Sequence, residues 1–202
     1  MSPRIERVLT ADPTTGMENN TWLIGDDSEV IVVDPAHDAR AVHEAVGARR
    51  ITTILLTHGH WDHVRAAVAL GARVGVEPLL NPADGFLWRE SHPASPFAEL
   101  HDGDAFEVAG LRLVARATPG HTPGSMCVVA DPLGAVFTGD TLFPGGPGAT
   151  RWAYSSFRTV IDSIQRVLFA LDDATVVHPG HGDSTTIGAE RPHLAEWNAR
   201  GW

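Results

Sequence analysis

Three histidines and one aspartate stand within six consecutive positions, in residues 56–66, which read LTHGHWDHVRA. The run before them, ITTILL, is rich in β-branched residues and predicts a buried strand. In extended backbone, positions i and i+2 face the same way, so His58 and His60 can reach one ion. Asp62 and His63 follow where a helix should begin, and their side chains splay apart. They are therefore placed to serve a second ion beside the first.

The cluster also has an ordinary structural interpretation. A single histidine at a strand end is usually exposed to solvent, and Asp62 would merely cap the following helix. The density of the whole HGHWDH run favours metal binding instead. Histidine and aspartate suit zinc, and also iron or manganese.

Short β-rich runs alternate with amphipathic helical runs along the chain. The predicted strands are IERVL, NTWLIG, EVIVVD, TILLT, ARVGVE, AFEVAG, LRLVARA, MCVVA, GAVFTG and ATVVH. Helices are predicted to begin near Asp38, Asp62 and Ser156, with a short one near ERPHLAEW, and residues 77–102 read as a loop around a short helix. Without repeats or a linker, residues 1–202 are expected to form one α/β domain.

The charge and composition of the chain indicate which kinds of molecule it can bind. The formal net charge is −10, and all 15 basic residues are arginine. This acidic balance argues against binding to nucleic acid or anionic membranes and favours a small-molecule substrate. We find no signal-like apolar segment, no run long enough to span a membrane and one cysteine, Cys127, expected to be an inert buried thiol. These features predict a cytoplasmic enzyme, whose oligomeric state, monomer or homodimer, stays open.

Three later motifs repeat the pattern of a metal-binding residue directly after a strand. TPGHTPGS carries His121, VFTGDTLF carries Asp140, and VVHPGHGDSTTIG carries His181. Each motif alone is also an ordinary Pro/Gly turn or a strand end. Together with THGHWDH, and in this order, they make the chain resemble the metallo-β-lactamase superfamily.

That resemblance implies a four-layer αβ/βα sandwich with two divalent metal ions, zinc or alternatively iron or manganese, at the rim between two sheets. The first ion would be held by His58, His60 and His121. The second would be held by Asp62, His63 and His181, with Asp140 bridging both. Outside this set, His178 is interpreted as a neighbouring or packing residue. Asp34 is either a partner for a ligand histidine or a strand-end turn before Pro35.

The motifs are most similar to those of the glyoxalase II-like (hydroxyacylglutathione hydrolase-like) group. Such an enzyme cleaves a thioester or ester with a metal-bridging hydroxide, and Asp62 is the candidate proton acceptor. Two departures concern the substrate: the tail after residue 181 is too short for that group's helical domain, and no lysine is present to grip glutathione. Arg151 is a candidate carboxylate donor or a solvated loop residue. Trp152 and Tyr154 are candidate rim aromatics or core residues.

Other chemistries fit the same motifs. Persulfide dioxygenases share them but use a single iron, for which His58, His121 and Asp140 would form a two-histidine, one-carboxylate set. Lactonases of the same fold also carry the bridging aspartate. A metal-binding protein without catalysis is the third possibility, although the ligand set is complete.

Overall fold

Two six-stranded sheets form the framework of the computed structural model, which describes residues 2–201. In chain order the strands are β1 (Arg4–Ala11), β2 (Glu18–Gly25), β3 (Glu29–Val33), β4 (Arg50–Leu55), β5 (Pro78–Leu80), β6 (Ala98–Glu99), β7 (Ala105–Val108), β8 (Leu111–Ala117), β9 (Met126–Ala130), β10 (Ala135–Gly139), β11 (Leu142–Phe143), β12 (Gly146–Pro147), β13 (Val176–Pro179) and β14 (Thr185–Thr186).

The helices are short. They are α1 (Ala39–Val46), α2 (Trp61–Val64), α3 (Ala67–Val74), α4 (Gly85–Ser91), α5 (Phe157–Ser163), α6 (Ile187–Glu190) and α7 (Leu194–Arg200). The π-helical turn Ile164–Leu168 continues α5. Within the described part of the chain, no helix has the length and apolar character needed to cross a membrane.

The first sheet has the order β1-β2-β3-β4-β5-β6, and the second has the order β14-β13-β10-β9-β8-β7. In the first sheet β1, β2 and β3 pair antiparallel, whereas β3 to β6 run parallel. In the second sheet the only parallel pair among the described strands is β10 with β13. Strands β11 and β12 form a separate small hairpin.

Three apolar clusters define four layers. One lies between the facing sheets and includes Ile31, Leu55 and Phe137. A second packs α1, α3 and α4 against the outside of the first sheet, and a third packs α5 and α7 against the outside of the second. Each sheet is therefore buried on both faces. The expectation of an αβ/βα sandwich is confirmed.

Local sequence explains several element boundaries. Strand β3, EVIVV, is buried along almost its whole length, as a central strand of a two-sided sheet requires. Asp38 begins α1 by accepting hydrogen bonds from the backbone N–H groups of Arg40 and Ala41. The turn between β7 and β8 places Ala109 and Gly110 at positive φ, 50° and 76°, and closes these two strands into a hairpin.

Two predicted elements are wrong. The run ARVGVE is not a strand: its first three residues end α3, and Gly75 closes that helix in a left-handed conformation. Leu70 and Val74, four residues apart, both pack on the cluster beneath the first sheet, so helical rather than alternating spacing governs here. The helix predicted from Asp62 is broken into α2 and α3, because the N–H of Ala66 bonds to the carbonyl of Ala36 outside the helix.

Loop and tail regions are more structured than the sequence indicates. The stretch 77–102 holds the expected short helix, α4, but also the edge strands β5 and β6. Beyond residue 181 the chain adds β14 to the second sheet. It then buries Trp197, on α7, against the outside of that sheet.

Candidate metal centre

The candidate ligands all follow the ends of strands at one rim of the sandwich. His58 and His60 lie on the extended segment after β4, and Asp62 and His63 lie in the first turn of α2. Three further candidates come from the loops after β8, β10 and β13: His121, Asp140 and His181. The two sheets therefore contribute to one site.

The first three histidines meet at a single point. His58, His60 and His121 present ring nitrogens that all lie within 4.8 Å of one another. Nδ1 of His60 is 3.0 Å from Nε2 of His58 and 3.0 Å from Nε2 of His121. All three side chains are buried or nearly so.

Asp62, His63 and His181 form a second convergent set. Oδ2 of Asp62 lies 3.6 Å from Nε2 of His63 and 3.2 Å from Nε2 of His181, and the two ring nitrogens are 3.3 Å apart. His63 is fully buried, whereas the side chain of His181 is 25% exposed. This set therefore lies on the more open side of the centre.

Asp140 lies between the two sets. Its Oδ1 is 3.2 Å from Nε2 of His63, and its Oδ2 is 3.6 Å from Nε2 of His121 and 3.7 Å from Nε2 of His181. Oδ1 is buried and has no hydrogen-bond partner among the described residues. Gly180 permits this approach, because a Cβ there would lie 2.6 Å from the same oxygen. A buried carboxylate oxygen without a hydrogen-bond donor lacks a partner, and a bound cation would supply one.

Each histidine has a partner for its outer ring nitrogen. Nδ1 of His121 lies 2.8 Å from the carbonyl of Ala149, and Nδ1 of His181 lies 2.8 Å from the carbonyl of Glu18. Carbonyl oxygens only accept hydrogen bonds, so these nitrogens carry the proton and leave both Nε2 lone pairs facing inward.

The histidines that follow β4 also have partners for their outer ring nitrogens. The hydroxyl of Thr57 donates to Oδ2 of Asp34 at 2.6 Å, so it accepts from Nδ1 of His58 at 3.1 Å. Nδ1 of His63 is 3.0 Å from the same Asp34 oxygen. Asp34 therefore orients His58 through the Thr57 hydroxyl and His63 directly, in each case at the ring nitrogen that faces away from the site. This favours the interpretation of Asp34 as a partner for ligand histidines over that of a strand-end turn. Nε2 of His60 contacts the Tyr154 hydroxyl at 2.9 Å.

Ring nitrogens and carboxylate oxygens that accept hydrogen bonds thus converge on the site, and too few N–H or O–H donors face them. Such a donor set matches a divalent cation of the zinc, iron or manganese type. The residues present therefore fit two metal ions.

The histidine pKa values differ between the two ligand sets. Burial, reinforced by the neighbouring histidines, holds the pKa of His58 well below its ordinary value and lowers that of His60 to about 4. Burial opposes ionisation of Asp62 and Asp140, but His63 and the other nearby histidines together outweigh it and lower both pKa values, that of Asp140 to about 2. The pKa of His63 is raised well above normal, because the two carboxylates overcome its burial. Neutral imidazoles and ionised carboxylates are the forms that bind metals, so a bound cation would take the place of the proton that these carboxylates hold on His63.

A cleft of about 470 Å³ opens over the centre. The predicted pocket residues Arg151, Trp152 and Tyr154 all line it, together with the exposed Trp61. The rings of Trp152 and Tyr154 stack nearly parallel at 6.0 Å, and that of Trp152 lies 4.6 Å from the His60 ring. Apart from metal candidates, the charged lining residues are Arg151 and Glu90. Four aromatic side chains therefore line the cleft: Trp61, Phe143, Trp152 and Tyr154.

Three further aromatic or histidine side chains, Trp88, His92 and His178, lie away from the cleft. Trp88 is buried in the core beneath the first sheet, and Nε2 of His92 contacts a backbone carbonyl of α2. His178 packs between Trp22 and Phe137, with ring centroids at 4.5 and 5.2 Å, so its role is packing.

Sequence reasoning missed Asn19 and Asp84. Asn19 is fully buried, and its amide reaches Asp62, His63 and His181. Two adjacent asparagines where a strand was predicted to begin were the available signal. Asp84 sits in a Pro-rich turn, where an aspartate attracts no notice.

The family model of the metallo-beta-lactamase superfamily matches residues 14–181. The chain belongs to this superfamily. Over 196 residues it is 33% identical to the hydroxyacylglutathione hydrolase GloC of Haemophilus influenzae, covering 89% of this chain and 92% of that protein. As a metallo-β-lactamase superfamily member it combines a fold shared with metal-dependent enzymes and a His/Asp cluster suited to divalent metals.

Two solved structures that resemble the chain are 28% identical to it in sequence. TTHA1623, in a di-iron-bound form, gives a TM-score of 0.79 and covers 92% of this chain and 96% of that one. ETHE1 from Myxococcus xanthus gives a TM-score of 0.74 and covers 96% of this chain and 83% of that one.

Proposed function

We propose that this protein is a dinuclear metallo-hydrolase that cleaves a thioester or ester of a small molecule. One observation carries the proposal: two separate three-residue sets share one carboxylate, that of Asp140, which approaches histidines of both. A mononuclear enzyme needs only one such set.

In the proposed centre His58, His60 and His121 hold the first ion, Asp62, His63 and His181 hold the second, and Asp140 contacts both. Two bound divalent cations, zinc being our first choice, would supply activated water at neutral pH and polarise the scissile carbonyl. The protein's own part is to fix the donors. The partners of the outer ring nitrogens hold four of the five imidazoles, those of His58, His63, His121 and His181, with a lone pair inward.

Asp62 has the further role of proton acceptor. Its carboxylate lines the cleft, so it is within reach of a proton released at the site of attack. A thiolate leaving group needs little protonation, so a thioester requires no separate general acid. The relative named as a hydroxyacylglutathione hydrolase supports this substrate class.

Substrate binding is assigned to Arg151, Trp152 and Tyr154. The Arg151 guanidinium lies 4.8 Å from the Trp152 ring centroid and is exposed, where it can hold a substrate carboxylate. The aromatic lining favours an apolar acyl or thiol group over a highly charged one.

The first test is metal content and activity together. Protein purified without chelator is expected to hold about two zinc-like ions per chain and to release thiol from a panel of thioesters. A single iron with oxygen uptake on a persulfide would replace the hydrolase with a dioxygenase. Lactone opening without thioester turnover would place the enzyme among lactonases.

Substitution of a proposed catalytic residue is the second test. Asp62→Asn is expected to lower kcat by at least about 100-fold while circular dichroism shows an intact fold. The matched control is Asp162→Asn on the exposed face of α5, which should keep full activity. His60→Ala should behave like Asp62→Asn, and unimpaired hydrolysis in either variant would refute the assignment.

A further inference from the structure

Asn19, on β2, places its side-chain amide at the second metal set. Its Nδ2 is 3.1 Å from Oδ2 of Asp62, 3.4 Å from Nε2 of His63 and 3.2 Å from Nε2 of His181. Those three atoms are themselves 3.2 to 3.6 Å apart. The four atoms therefore form a nearly regular tetrahedron with Asn19 at one corner.

The size of this tetrahedron matches a coordination shell. Zinc binds nitrogen and oxygen at about 2.0–2.1 Å, so tetrahedral ligand atoms are separated by roughly 3.3–3.4 Å. A simple hydrogen-bonding role explains the geometry less well. The amide nitrogen has two hydrogens, but three polar atoms lie at nearly equal distance from it.

The remaining question is which amide atom faces the site. A half-turn about the last side-chain bond exchanges Oδ1 and Nδ2 with almost no change of shape. Oδ1 now lies 2.7 Å from Nε2 of His37. After the exchange, Nδ2 would donate to the lone pair of that same nitrogen.

His37 permits either arrangement. Its other ring nitrogen, Nδ1, is buried and has no hydrogen-bond partner within the part of the chain that the structure describes. No described contact at Nδ1 therefore selects one tautomer, and Nε2 can donate or accept according to what Asn19 presents.

The backbone around Asn19 is also fixed against the second set. The N–H of Asn20 donates to the carbonyl of Gly180 at 2.7 Å, and its side-chain amide donates to the carbonyls of Pro179 and Gly182. These bonds fasten β2 to the loop that carries His181. Asn19 is thus held in place before any ion binds.

We propose that Asn19 is a fifth protein ligand of the second ion, beside Asp62, His63, His181 and the shared Asp140, binding through Oδ1 while its Nδ2 donates to His37. This inference rests on the proposed dinuclear site. An amide oxygen beside Asp62 and two imidazoles makes the second position richer in oxygen than the first, which has three histidines. The second position should accept manganese or iron(II) more readily than the first does.

Chelator competition and cobalt(II) absorption test the proposal. In Asn19→Ala the second ion should bind roughly 10- to 100-fold more weakly, and the visible band of cobalt at that position should shift, because one ligand is replaced by water. His37→Phe should weaken the same ion to a smaller extent. Asn198→Ala, on the exposed face of α7, is the matched control and should change neither property.

The outcomes separate this inference from the proposed function. If wild-type protein binds two ions and Asn19→Ala leaves the second affinity and cobalt spectrum unchanged, the ligand role is overturned while the dinuclear hydrolase stands. If wild-type protein binds only one ion, both fail, and the failure is visible before any variant is made. A metal-loaded crystal structure with Asn19 Nδ2, not Oδ1, facing the ion would also overturn it.

Discussion

Tyr154 illustrates how one side chain can couple the cleft to the metal centre. Its hydroxyl lies 2.9 Å from Nε2 of His60, whose Nδ1 faces His58 and His121. Outer partners of this kind fix ring orientation, and their loss commonly lowers metal affinity 10- to 100-fold. We therefore expect Tyr154→Phe to weaken the first ion by roughly 10-fold with the fold intact, as measured by competition with a chromophoric chelator.

The neighbouring Arg151 provides the comparison for this prediction. It lies on the same loop and lines the same cleft, but it makes no contact with a candidate ligand. Arg151→Ala should leave metal affinity unchanged and raise KM for carboxylate-bearing substrates. Equal metal affinities in wild-type protein and Tyr154→Phe would show that the hydroxyl does not support His60.

At the scale of elements, the sequence predicted most strands because their apolar runs are long and bounded by turns. The sequence also predicted that the candidate metal residues lie near one another, because each follows a predicted strand. These residues are the HGHWDH cluster, His121, Asp140 and His181. Strand ends gather at the rims of sheets, so local pattern was enough to bring them to one place.

Residues whose partners are distant in sequence could not be predicted in the same way. Asn19 acts on Asp62, 43 positions away, and on His181, 162 positions away. The break between α2 and α3 depends on the carbonyl of Ala36, on another loop. Nothing in the local sequence encodes these contacts, because they arise only when the sheets pack.

Asp84 ties together the two loops that carry the first histidine set. Its fully buried carboxylate accepts hydrogen bonds from the N–H groups of Gly59 and Gly124 and from the hydroxyl of Thr122. Gly124 is required there, since a Cβ would lie 2.7 Å from the carboxylate. His121 is adjacent to Thr122, so this carboxylate sets the spacing between both loops.

We expect Asp84→Asn to lower the free energy of unfolding by about 2–4 kcal/mol, because an amide cannot accept all three bonds and buries unpaired donors. The first ion should also bind more weakly, since the loops lose their common anchor. Urea unfolding and chelator competition measure the two effects. Asp162→Asn, which is exposed, should show neither, and a loss of stability without a loss of metal affinity would confine Asp84 to the fold.

For the whole molecule, the site depends on how the two sheets are held face to face. The first sheet supplies four of the candidate ligands and the second supplies three, so a shift of one sheet against the other would separate them. His178 lies within that interface, beside Trp22 and Phe137, and its Nδ1 contacts the hydroxyl of Ser184 at 2.9 Å. Burial lowers the pKa of His178 to about 4.

This depressed pKa predicts a pH dependence of stability. The unfolded chain takes up the proton near pH 6.5, whereas the folded chain resists it until about pH 4. The contribution is therefore intact above pH 6.5 and is lost as the pH falls towards 4. Because His178 is only half-buried, water screens part of the effect, and we expect about 1 kcal/mol of extra loss between pH 7.5 and 5.0.

Urea unfolding with metal removed tests this prediction on wild-type protein, His178→Phe and His193→Gln. The phenylalanine keeps the aromatic packing and cannot be protonated, so its unfolding free energy should fall less between the two pH values than that of the wild type. The exposed His193 is the control, and its variant should follow the wild type. If His178→Phe shows the same acid sensitivity as the wild type, the histidine does not couple protonation to the packing of the sheets, and the remaining buried imidazoles must carry it.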